Sequence, residues 1–150
     1  MKKILSILLT LAMVLSLVPA VFAADEPTIT MSADKTSVAP GETVTLTVSL
    51  DKELVADAVG ISISFDTDAY TLTGRKNLGS RPARLGFTNI DPANNQGAVK
   101  FFYLQTAFDK DDPSHTSFAA GDWASFTFTA KEGADTSNAK FTMKVDNLLT

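Results

Sequence analysis

Residues 43–50 read TVTLTVSL: Val44, Leu46, Val48 and Leu50 alternate without a break with three threonines and a serine. Period two with β-branched residues marks a strand that buries one face, and a helix cannot gather such a pattern into one stripe. The same signature recurs along the chain. TITMSA at 28–33 alternates Ile29 and Met31 with polar neighbours, and a Pro40-Gly41 turn separates it from 43–50. AVGISISFD at 58–66 sets Val59, Ile61, Ile63 and Phe65 against Gly60, Ser62 and Ser64. The acidic bend Asp66-Thr67-Asp68 then leads into a short run at 70–73. ARLGFT at 83–88 is a weaker strand, and AVKFFYL at 98–104 is the most apolar. DWASFTFTA at 122–130 and AKFTMKV at 139–145 complete the set. Beyond the first 23 residues no window repeats apolar residues at i, i+3, i+4 and i+7, so no helix longer than a turn is expected. Eight strands separated by Gly, Pro, Asn and Asp predict an all-β sandwich. Its inner faces supply most of the stability, at roughly 25 cal/mol per Å² of apolar surface removed from water.

The N-terminus predicts secretion. Lys2 and Lys3 precede an uncharged apolar run at 4–18, Pro19 breaks it, and Val21-Phe22-Ala23 offers a cleavage site after Ala23. The run is shorter than the ~20 residues that span a bilayer, so residues 1–23 read as a signal peptide, with no membrane insertion after cleavage. The absence of cysteine excludes a lipoprotein, disulfide staples and thiolate chemistry. Residues 24–150 are expected to form one domain. Without Lys2 and Lys3 it carries 11 Lys and Arg against 17 Asp and Glu, a net charge near −6. Such a chain is a poor partner for nucleic acid or an anionic membrane.

Catalytic material is scarce, and no catalytic residue, cofactor or metal is expected. His115 is the single histidine and sits on a polar loop. Asp66 and Asp68 lie on a turn rather than across a cleft, as glycoside hydrolysis requires. The acidic loop Asp109-Lys110-Asp111-Asp112 lacks EF-hand spacing and reads as solvated. Trp123, Tyr103, Tyr70 and the phenylalanines could form a sugar-stacking platform, but the phenylalanines read as core and Trp123 alone stays an open candidate. Trp123 alternates in step with neither Phe126 nor Phe128, which leaves its side open.

Three segments in order resemble the cohesin family: KTSVAPGETVTLTVSL at 35–50, AVGISISFDTDAYTLTG at 58–74 and GDWASFTFTAKEGADTSNAKFTMKV at 121–145. The resemblance covers nearly all of residues 28–147. It implies a jelly-roll β-sandwich of eight to nine strands, Ig-like in architecture. It also implies a non-catalytic, extracellular or cell-surface module that binds dockerins and so recruits polysaccharide-degrading enzymes. The chain departs from the family in lacking a proline in the 66–68 bend. Gly60 stands where some members carry an Asp that contacts dockerin. No closing strand follows 139–145, which is expected of a fragment of a longer protein, or else leaves the 28–33 strand with a free edge.

The family's sheet order would place 58–66, 83–88, 98–104 and 139–145 in one sheet, whose outer face binds dockerin. Alternation turns Ser62 and Ser64 outward with Gly60, and Lys140 and Lys144 outward with Thr142. On 98–104 the outward set is Lys100, Phe102 and Leu104, because burying an unpaired lysine is costly. Arg84 and Thr88 extend the face. The resulting surface is basic around an apolar centre, on an otherwise acidic chain, and suits an acidic helical partner. Two other readings stand beside it. A carbohydrate-binding module of similar fold needs exposed aromatic residues in a row. A structural sandwich of a surface or adhesion protein would tolerate charge reversal on this face.

Overall fold

The computed structural model describes residues 26–79, 84–88, 97–104 and 117–149. The expected signal peptide at 1–23, the acidic stretch at 109–112 and His115 lie outside them. Ten strands and no helix appear among the described residues: β1 (Ile29–Ala33), β2 (Thr43–Leu50), β3 (Leu54–Val55), β4 (Ala58–Ser64), β5 (Tyr70–Asn77), β6 (Arg84–Thr88), β7 (Ala98–Leu104), β8 (Ser117–Phe118), β9 (Gly121–Ala130) and β10 (Thr142–Leu149). Antiparallel pairing builds one sheet in the order β1-β2-β9-β5, a second in the order β10-β4-β7-β6, and a small β3-β8 pair. All four strands expected to share a sheet do share one.

Turn chemistry sets the joints. Gly41 adopts φ +81° and Glu42 N donates to Ala39 O at 3.0 Å, a type II turn that needs the left-handed glycine after Pro40. At the acidic bend, Asp66 Oδ1 accepts from Asp68 N at 2.8 Å and Asp66 O accepts from Tyr70 N at 2.9 Å. The Asx turn therefore forms without the family's proline.

Several strands differ from expectation in extent. β4 ends at Ser64, because the Asp66 turn begins just beyond Phe65. β5 continues to Asn77, since a bulge between Leu72 and Gly74 lets the chain resume pairing with β9. β10 begins at Thr142 rather than 139 and runs on to Leu149, again across a bulge, between Val145 and Asn147. Strands β3 and β8, only two residues each, are too short to carry a periodic signal. Edge strands β5 and β10 thus each carry a bulge and a lysine, Lys76 and Lys144, features that discourage edge-to-edge pairing.

The core lies between the two large sheets. Val44, Leu46 and Val48 of β2 and Phe126 and Phe128 of β9 face Ile61 and Ile63 of β4 and Phe101 of β7. All are buried, as alternation requires. Aromatic contacts cross the sandwich: Phe101 lies 5.0 Å from Phe126, and Tyr103 lies 5.1 Å from Trp123, between ring centroids.

Two core tyrosines differ in their hydroxyls. Tyr103 Oη donates to Trp123 O at 2.8 Å, whereas Tyr70 Oη, on a fully buried side chain, has no hydrogen-bond partner among the described residues. A made bond stabilises by about 1 kcal/mol and an unmade buried one costs about 1–3 kcal/mol. Tyr103→Phe is therefore expected to lower stability by about 1 kcal/mol and Tyr70→Phe to raise it by a similar amount, read by denaturant titration. Burial raises both phenol pKa values above 10.0. The unfolded chain ionises first as pH rises, so above pH 10 the Tyr103 contribution fades while the cost of burying the Tyr70 hydroxyl grows. The double Phe variant should show a flatter stability profile there.

Candidate functional site

Backbone register across the β10-β4-β7-β6 sheet forms a grid whose rows cross the strands. One row runs Lys144, Ser62, Lys100, Thr88; the next runs Asn147, Gly60, Phe102, Gly86; the third runs Leu149, Ala58, Leu104, Arg84. Ser64 stands between Thr142 and Ala98 on the opposite side of the lysine row. Lys100, Lys144 and Ser64 are exposed and Phe102 is half-buried, while Val99, Phe101 and Tyr103 point into the core. The outward set on β7 is the lysine-bearing one, as the cost of burying a charge demands.

Two expected contact residues are placed differently from the others. Ser62 lies on the outer face yet keeps only 8 % of its surface, because a short side chain on a central strand sits below its long neighbours Lys144 and Lys100. It forms the floor of the row between the two lysines. Lys140 is exposed but precedes β10, so it stands outside the ladder.

Three solved structures share this architecture. Type II cohesin A11 from Bacteroides cellulosolvens superposes with a TM-score of 0.59 at 18 % identity, over 79 % of this chain and 77 % of that one. A type I Coh-OlpA–Doc918 complex from Clostridium thermocellum matches at 0.57 and 10 % identity, over 81 % and 91 %. The sixth cohesin of Acetivibrio cellulolyticus scaffoldin B, solved with the Cel5 dockerin, matches at 0.54 and 17 % identity, over 77 % and 81 %. The chain has the cohesin fold. No family model matches its sequence, and no curated protein matches it.

On this cohesin fold two residues join the face that alternation missed. Asp146 occupies the β10 bulge, and its Oδ1 lies 3.8 Å from Lys144 Nζ. Asn147, turned outward by the same bulge, leans over Gly60: a Cβ built there would lie 3.5 Å from Asn147 Cβ and Nδ2. The sequence signal for both is the loss of alternation in VDNLL at 145–149.

The sugar-stacking candidates go elsewhere. Trp123 is 5 % exposed, packs on Tyr103 and Phe118, and donates from Nε1 to Ala119 O at 3.1 Å. Tyr70 and Tyr103 are buried as well, so none of the three is available to stack on a saccharide.

Proposed function

We propose that this cohesin-fold chain is a non-catalytic module, secreted or held at the cell surface, that recruits a dockerin-bearing protein and so places polysaccharide-degrading enzymes in an assembly. The observation that carries this reading is the outer face of the β10-β4-β7-β6 sheet. A lysine row there flanks Phe102, which stands between Gly60 and Gly86 on a chain that is acidic overall. A basic face with an apolar centre offers steering by charge and burial by Phe102. The carbohydrate-binding alternative loses Trp123, Tyr70 and Tyr103 to the core.

The test is calorimetric titration of residues 24–150 against the dockerin modules of the same organism. Saturable one-to-one binding by at least one of them is expected. If a cooperatively melting domain binds none, the dockerin reading falls and the structural-sandwich reading takes its place.

A further inference from the structure

We infer that β1 is a docking edge for a second copy of this chain: two β1 strands pair antiparallel about a two-fold axis at Met31 and join two four-stranded sheets edge to edge. β1 belongs to the sheet that the proposed dockerin face does not use, so this inference stands independently of that reading.

The ladder fixes which backbone groups of β1 are offered. Among the described residues β1 pairs on one side only, with β2. Asp51 N donates to Thr28 O at 3.1 Å, and Asp34 N donates to Thr45 O at 3.0 Å. Hydrogen-bonded pairs alternate along an antiparallel ladder, so Thr30 and Ser32 bond to β2 as well. Ile29, Met31 and Ala33 therefore turn their N–H and C=O groups away from it. A carboxylate braces each end of the strand: Asp51 Oδ1 accepts from Thr28 N at 2.6 Å, and Asp34 Oδ1 accepts from Thr45 N at 2.8 Å.

The edge is self-complementary. In two-fold register Ile29 meets Ala33 of the second copy and Met31 meets Met31, and each such pair exchanges two backbone hydrogen bonds. A large side chain thus falls opposite a small one on the inner face, where Ile29 and Ala33 are only partly buried within one copy. On the outer face Thr30 falls opposite Ser32, a pair that stabilises sheets. Charge agrees with this register. The strand itself carries none, Asp34 falls opposite Thr28, and Glu26 of one copy falls beside Lys35 of the other.

The other edges argue the same way by contrast. β5 and β10 each carry a bulge and a lysine, whereas β1 holds an unbroken register with β2 and has no lysine and no proline. Those are the features that otherwise blunt an edge. Five residues make an edge about 17 Å long, which covers well under the ~800 Å² per partner of a stable dimer. Pairing is therefore weak between free copies and strengthens where copies are held close together on one surface.

A disulfide can report the register, because the chain has no cysteine of its own. Thr30 and Ser32 of opposite copies form the pairs without hydrogen bonds, with Cα atoms about 4.5 Å apart and within disulfide reach. Like residues lie on the diagonal, about 7–8 Å apart. Thr30→Cys and Ser32→Cys chains, mixed at submillimolar concentration in a thiol–disulfide buffer, are expected to form the 30–32 disulfide at least fivefold more than the 30–30 and 32–32 products. Ala33→Pro removes an outward N–H from each copy and leaves every bond to β2 in place. Introduced into both cysteine chains, it should lower the yield at least fivefold with the melting temperature within a few degrees. The unmodified chain should show concentration-dependent amide shifts confined to residues around 28–34, and Ser32→Lys, on the exposed outer face, should abolish them. A statistical mixture of disulfides, no shifts at millimolar concentration, shifts elsewhere, or indifference to both Ala33→Pro and Ser32→Lys would overturn the inference.

Discussion

Phe128→Ala is expected to destabilise the domain by about 3–5 kcal/mol, the usual cost of emptying a phenylalanine site in a core. Phe128 sits on β9 between Val44 of β2 and Leu72 of β5 and is fully buried. Its ring lies 4.9 Å from Phe65, just beyond β4, and 4.8 Å from Phe141, just before β10. Tyr70 stacks on the same Phe141 at 4.7 Å. Phe128 therefore fastens the central strand of one sheet to the chain entering and leaving the other. A packed interior collapses only partly around a cavity, so the loss exceeds that of simple transfer. With no disulfide to restrain the unfolded chain, a loss of this size removes a large share of a stability of roughly 5–15 kcal/mol. Thermal melting should show the midpoint falling by about 10–20 °C. A fall of only about 2–3 °C would mean that the two sheets are fastened elsewhere.

On the proposed function, the Lys100→Glu/Lys144→Glu pair is expected to lower affinity for the dockerin partner about 100-fold, near 2.7 kcal/mol, while leaving the melting temperature within a few degrees. Both side chains are exposed, and neither supports the core, so folding has little to lose. Binding has more to lose, because each substitution replaces attraction for an acidic partner with repulsion. The second substitution also exchanges the cation 3.8 Å from Asp146 for a carboxylate, which makes that corner of the sheet acidic. Raising the salt concentration should shrink the difference between the variant and the parent, since these charges are screened. Calorimetric titration at two ionic strengths gives both quantities. Unchanged affinity would move the docking surface off this sheet.

Much of the architecture was written in alternation. TVTLTVSL and AVGISIS admit one partition into buried and exposed faces, and the structure buries Val44, Leu46, Val48, Ile61 and Ile63 accordingly. Lys100 settled the orientation of β7 because the opposite choice would bury a charge. Those inferences depend only on the pleat of a strand and on transfer energies, both local to the residues concerned. Trp123 was illegible, because its place depends on Tyr103 and Phe118, which come from other strands. The burial of Ser62 was hidden for the same reason: alternation assigns a side to a residue but not its depth, and depth depends on the lysines that the neighbouring strands bring beside it. The β10 bulge, which delivers Asp146 and Asn147 to the face, takes its register from pairing with β4; the lost alternation in VDNLL marks a break there without fixing which side chains reach the face. Side-chain periodicity is a property of one strand and can be read along it; register, bulges and cover belong to pairs of strands and exist once the sheet has formed.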